Sequence, residues 1–181
     1  MSLIQKTDPI GLDVKIDSFQ SYLYTALGFS DWQCYPAIYS VPSSANSEFR
    51  GLIPAHFEDG VDYSEVYMDD EYDLSTFFYS EENETFDNWI GRTTVSLICQ
   101  VRLDELYPSI DHRANTEFNT AVINASNAYS GYETFSLTGV KKTVKEVYKE
   151  FVTGQIELTN MQPYYVVRFD YEVYYDPKAG C

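Results

Sequence analysis

Between Arg50 and Arg92 the chain has no lysine or arginine at all. Basic residues are scarce throughout, with 12 Lys and Arg against 28 Asp and Glu and a formal net charge of −16 at pH 7. That balance argues against sequence-reading contact with nucleic acid, which needs cations to neutralise phosphates. It still permits DNA to pass nearby, because a negative wall repels a negative polymer and lets it slide. Only His56 and His112 offer an imidazole, and neither has a Ser or Cys close by in a nucleophile setting. Both read as loop or cap histidines. Cys34, Cys99 and Cys181 are odd in number and lack paired spacing, which argues for free thiols in a reducing compartment. The phosphate-binding loop, the nucleophile elbow, the dinucleotide glycine pattern and the zinc-protease helix motif are all missing.

Long apolar runs are missing too. No window approaches a membrane span, and Met1 to Leu12 carries no run of secretory length. The expectation is a soluble intracellular protein, without enzymatic activity, cofactor or metal. In that setting the acceptor patterns Asn83-Glu84-Thr85 and Asn124-Ala125-Ser126 have no glycosylation to receive.

What is present is acid mixed with rings. Within the basic-free window Asp and Glu fall at 58, 59, 62, 65, 69, 70, 71, 73, 81, 82, 84 and 87. Phe57, Tyr63, Tyr67, Tyr72, Phe77, Phe78, Tyr79, Phe86 and Trp89 sit among them. Acids alone would predict a disordered segment, since like charges repel. This many rings predicts a folded or partner-ordered surface. The 17 tyrosines fit either strands or interfaces, because the ring buries area while the hydroxyl keeps a hydrogen bond. Asp69-Asp70-Glu71-Tyr72-Asp73 brings hard oxygen ligands together but lacks the loop order of a calcium site, so it reads as solvated surface.

A chain of 181 residues fits one domain and buries roughly 70% of its unfolded surface. Residues 1–12 read as an irregular arm, broken by Asp8-Pro9 and Gly11. Ile16, Phe19, Leu23 and Leu27 share one helical face, with Asp13 as N-cap and Gly28 at the C-terminus. Trp32 to Val41 predicts a strand ended by Pro42, and 51–57 a short strand broken at Pro54. Tyr63, Glu65 and Tyr67, in phase with Val61, predict part of a hairpin. Alternation through Val95, Leu97, Cys99, Val101 and Leu103 predicts a strand over 92–106 with Cys99 in the core. Phe118, Ala121, Val122, Ala125 and Tyr129 predict a helix that Asp111 caps and Gly131 closes. A short strand at 133–139 follows, then helical spacing from Val140 to Phe151, where β-branching leaves a strand open. Tyr164 to Tyr175 alternates after Pro163 and predicts a long half-buried strand.

The resulting fold class is α+β: a mostly antiparallel sheet with two or three helices on one face and an extended acidic hairpin or loop insertion. The expected organisation is an arm at 1–12, one domain at 13–176 with the insertion at about 57–90, and a tail at 177–181.

This element order, ending in Asn160-Met161-Gln162-Pro163-Tyr164-Tyr165-Val166-Val167-Arg168-Phe169-Asp170-Tyr171-Glu172-Val173-Tyr174-Tyr175, resembles the tail-terminator and head–tail completion proteins of long-tailed bacteriophages. The opening helix with its Phe19-Gln20-Ser21-Tyr22-Leu23 face fits, as does the pairing of strand 92–106 with helix 112–129. The resemblance covers about residues 13–176 and departs from the compact pattern at 57–90. It implies a structural virion protein in the tail or neck, assembled in the host cytoplasm. Its partners would be copies of itself in a ring, usually a hexamer, together with tail tube protein and head connector or neck proteins. DNA would pass through the lumen. On that reading Asp69, Asp70, Glu71 and Asp73 form a charged lumen or docking surface, and Tyr63, Tyr67, Phe77 and Phe78 anchor subunit contacts. Alternatives from other classes are a monomeric tyrosine-rich module that binds carbohydrate or a host receptor, and a metal-dependent enzyme using the acidic cluster.

Overall fold

A computed structural model describes residues 2–42, 51–57, 63–67, 71–80, 83–109, 113–129, 135–153 and 163–181. In chain order the elements are β1 (Ser2–Leu3), α1 (Leu12–Leu27), β2 (Trp32–Ala37), β3 (Tyr39–Pro42), β4 (Leu52–Phe57), β5 (Tyr63–Glu65) and β6 (Leu74–Ser80). They continue with β7 (Thr85–Asp87), β8 (Ile90–Arg102), α2 (Leu103–Leu106), α3 (Asn115–Ala128), β9 (Phe135–Lys141), α4 (Val144–Val147) and β10 (Tyr164–Tyr175). Among the described residues the main sheet runs β1-β2-β6-β8-β10-β9, with β7 added beside β8, and β3-β4-β5 form a second sheet. The fold is α+β. Most pairings are antiparallel, whereas β1–β2 and β2–β6 are parallel.

The spine is β8 against β10, paired from Tyr164↔Arg102 to Tyr175↔Gly91. Because side chains alternate, this one register sorts the strands onto two faces. Leu97, Cys99, Val101, Val167, Phe169 and Tyr171 meet Ile16, Phe19 and Leu23 of α1 and Phe118 and Val122 of α3. Ile98 and Val166 face the other way, toward Ile38, Val66, Phe77, Val147 and Tyr148. The expected face of helices is α1 with α3. The opposite face is covered as well, by α4 and the chain around the small sheet.

The second core holds an ionic centre. Arg168 is fully buried, and its guanidinium donates to Glu150 at 2.5 Å and to Asp170 at 2.5 Å. Ser96 Oγ adds a 2.7 Å hydrogen bond to Asp170. A buried cation is tolerable only with such partners in place.

Several expectations are corrected. The arm at 1–12 is tied down: β1 extends the sheet, and Gln20 Nε2 donates to the Ile4 carbonyl at 2.9 Å. Gly11, not Asp13, precedes the helix, with φ at 59°, and its N–H donates to the Ala179 carbonyl. Residues 177–181 thus pack back on the helix start, while Asp13 pairs with Lys6 at 2.7 Å. The single strand over 32–41 is two strands, crossing between sheets at Ile38, whose N–H donates to the Phe78 carbonyl. Pro54 does not break β4; its carbonyl accepts from Val66. Beyond Arg102 the backbone turns into α2 instead of extending to 106. Val140 lies in β9, so the helix within 140–151 shrinks to α4, capped by a Thr143–Glu146 box. Val61, Asp111, His112 and Gly131 lie outside the described residues.

The largest correction concerns 57–90. Its middle is β6, hydrogen-bonded between β2 and β8, with Leu74 to Phe78 all buried. The described middle of the window, Leu74–Ser80, is therefore a strand of the main sheet rather than part of an insertion hung from it.

Asp17 lies on the buried side of α1. Burial, reinforced by Asp13, lifts its carboxyl from 3.8 to about 6, while Lys6 acts in the opposite direction. A folded value above the unfolded one means the native state holds the proton more tightly, so this group's contribution to stability falls as pH rises from about 4 to about 6. Asp17→Asn, which keeps an acceptor for the Lys6 N–H, is expected to raise stability at pH 7 by about 2 kcal/mol and to flatten that slope. Urea midpoints of the two proteins at pH 5 and pH 7 measure it.

Candidate functional site

One end of the main sheet gathers acid from three connections. The Asp31 carbonyl accepts from the N–H groups of both Asp73 and Leu74 at 3.1 Å, which fixes the entry into β6 beside the entry into β2. The Asp73 carbonyl accepts from Arg102 N–H at 2.8 Å, where β8 ends and α2 begins. Asp104 and Glu105 of α2 complete the group, and Arg102 binds Glu105 at 3.0 Å. The Asp73 carboxyl is raised by partial desolvation and by Asp31, Glu105 and Asp104, against the opposing pull of Arg102. Carboxylates that disfavour one another's charge gain from an approaching cation. Glu71 is exposed just ahead of Asp73, and Asp69 and Asp70 lie outside the described residues.

The four expected aromatic anchors separate. Tyr63 is half exposed and forms a small platform on the second sheet, its ring 5.0 Å from Phe57 and 5.8 Å from Tyr39. Tyr67 is partly buried and donates from its hydroxyl to the Val152 carbonyl at 2.6 Å. Burial, with a contribution from Glu65, pushes its phenol up to about 12. It bolts the strand connection to the segment after α4. Phe77 and Phe78 are fully buried on opposite faces of β6, one in each core. They hold the chain's own fold and are closed to a neighbouring subunit, which corrects the expected role. His56 likewise is a buried strand residue, with Tyr35 5.5 Å away, rather than a loop histidine.

A further surface lies at the opposite end of the sheet. The hairpin β7–β8 turns at Asn88 and Trp89, both with positive φ (47° and 75°). Two such residues are the mark of a type I′ turn, which favours Asn followed by Gly. Here the second place carries Trp89, 80% exposed, with Phe86 and Ile90 also exposed beside it. The sequence signal was Asp87-Asn88 between apolar residues, but without a glycine the turn went unmarked.

Among the described residues no three His, Cys, Asp or Glu side chains are placed to hold a metal ion, and no helix is long and apolar enough to cross a membrane. No protein-family model matches the chain, and no curated protein matches it. The arrangement offers display surfaces: acid at one end of the sheet and exposed rings at the other.

The burial difference is directly testable. Phe77→Ala should cost about 3–5 kcal/mol in urea unfolding, whereas Tyr63→Ala should stay within about 0.5 kcal/mol of the parent.

Proposed function

We propose that the protein is a structural virion component: a ring-forming tail terminator or head–tail joining protein of a long-tailed bacteriophage, acting through surfaces without a catalytic step. The observation that carries the reading is the acidic end of the sheet, where Asp31, Asp73, Asp104 and Glu105 are brought together by backbone hydrogen bonds. Its charge acts either on DNA in a lumen, repelling phosphates over ~8 Å at physiological salt, or on a basic neighbouring ring such as the tail tube or connector. The elements on which the resemblance rests support the reading: α1 comes early, α3 follows β8, and β10 is the last strand. Exposed rings at Tyr39, Phe57 and Tyr63 favour a second reading, a binding module that stacks sugars. A glycan array decides that alternative.

The full-length protein, alone and with tail tube protein, should form rings in negative-stain images and a defined oligomer by light scattering. A monomer in both samples removes the proposal. Glu71→Lys with Asp73→Lys then separates the two uses of the charge. Lost assembly indicates docking, and assembled particles that eject DNA poorly indicate the lumen.

A further inference from the structure

We infer that the β7–β8 hairpin of one copy docks on the lysine-bearing β9–α4 corner of another copy of the same chain. Three observations converge on that contact. The first is the tip itself. Trp89 occupies a backbone conformation that glycine adopts far more readily, and its ring is 80% exposed. Folding alone would favour a smaller residue there, which points to a use for the exposed ring beyond its contact with Lys178.

The second is the chemistry of the tip. Glu84 and Asp87 are exposed around Phe86, Trp89 and Ile90, and no cation occurs in the sequence from Gly51 to Gly91. A carboxylate-flanked indole recognises ammonium groups, by charge and over the ring face. Trp89 already does so within its own chain, where Lys178 Nζ lies 5.1 Å from the ring centroid.

The third is where this acidic chain keeps its own cations. Lys141, Lys142, Lys145 and Lys149 fall within nine residues and are all exposed. The acids among them are partly engaged: Glu146 accepts from Thr143, and Glu150 binds the buried Arg168 as well as Lys149. Beside the lysines, β9 is an edge strand among the described residues, paired to β10 alone.

Position makes the contact intermolecular. The hairpin springs from Gly91, paired with Tyr175, while Lys141 is level with Arg168. These levels are seven residues apart along β10, roughly 23 Å at ~3.3 Å per residue. One chain cannot fold its tip onto its own lysines. Two different patches joined between copies make a head-to-tail contact, which closes as a ring or continues as a filament. The inference shares the self-association of the proposed ring but does not depend on any role in a virion.

Sedimentation velocity of the full-length protein, across a wide concentration range and at low and high salt, tests it. The parent should self-associate, less at high salt. Trp89→Gly, which suits the turn, should keep the circular dichroism of the parent and weaken association at least about tenfold. The triple variant Lys141→Glu, Lys142→Glu, Lys145→Glu should do the same. Mixed together, the two variants should form a one-to-one heterodimer that grows no further, because each retains the half that the other lacks. A parent that stays monomeric overturns the inference. So do variants that associate like the parent, or a mixture that stays apart while the parent assembles. Rings that persist with Trp89→Gly would leave the proposed function standing and remove this contact alone.

Discussion

From Tyr164 to Tyr175 every residue of β10 is paired with β8, and that ladder decides what each neighbouring segment can do. A slip of one residue would turn Val167, Phe169 and Tyr171 away from α1 and α3, and would drive Val166 and Arg168 into the wrong core. Arg168 makes such a slip especially costly, since its charge is buried and Glu150, the partner that is not on its own strand, stands on one side only. With β8 and β10 fixed, β6 is held along β8 from Leu74↔Val101 to Ser80↔Val95, and β2 is held along β6. Asp73, at the entry to β6, is therefore presented from the end of a strand that is paired on both sides.

This placement reconciles a charge of −16 with a well-packed interior. Like charges destabilise a compact state when crowded together. Among the described residues, Glu71, Glu84, Asp87, Asp104 and Glu105 lie exposed at turns and element ends, while the sheet between them is filled by aromatic and branched side chains. Aromatic contacts link the layers: Phe19 of α1 meets Phe78, Phe135 and Tyr171 at ring distances of 6.2, 4.5 and 5.3 Å. Tyrosine serves both purposes in this chain. Tyr165 and Tyr171 are core residues whose hydroxyls bond to Asn119 and Ser126, whereas Tyr63 and Tyr39 remain at the surface.

Much of the scaffold was legible in the residues. Tyr164 to Tyr175 alternates cleanly after Pro163 and is a strand with those bounds, and Ile16, Phe19 and Leu23 are the buried face of α1. Strand β6 was hidden because both of its faces are covered: Leu74 to Phe78 has no polar alternation to betray a strand, and its acidic flanks suggested a loop. The bend at Ile38 was hidden for a related reason, since the apolar run continues while the chain changes sheets. The concentration of acid was visible, but its grouping depends on backbone bonds between Asp31, Asp73 and Arg102, which are distant in sequence. Burial of Phe77 and Phe78 and exposure of Trp89 follow from the same tertiary context.

Everything proposed for the acidic window depends on its being built into the sheet, and amide hydrogen exchange tests that most directly. With β6 central, the amides of Phe77 and Phe78 should exchange as slowly as those of Leu97 and Val167, through global unfolding. Those of Thr85 to Asp87 at the exposed hairpin should exchange orders of magnitude faster. Rapid exchange throughout Leu74 to Ser80, together with its acidic flanks, would make the window a mobile appendage and contradict the account.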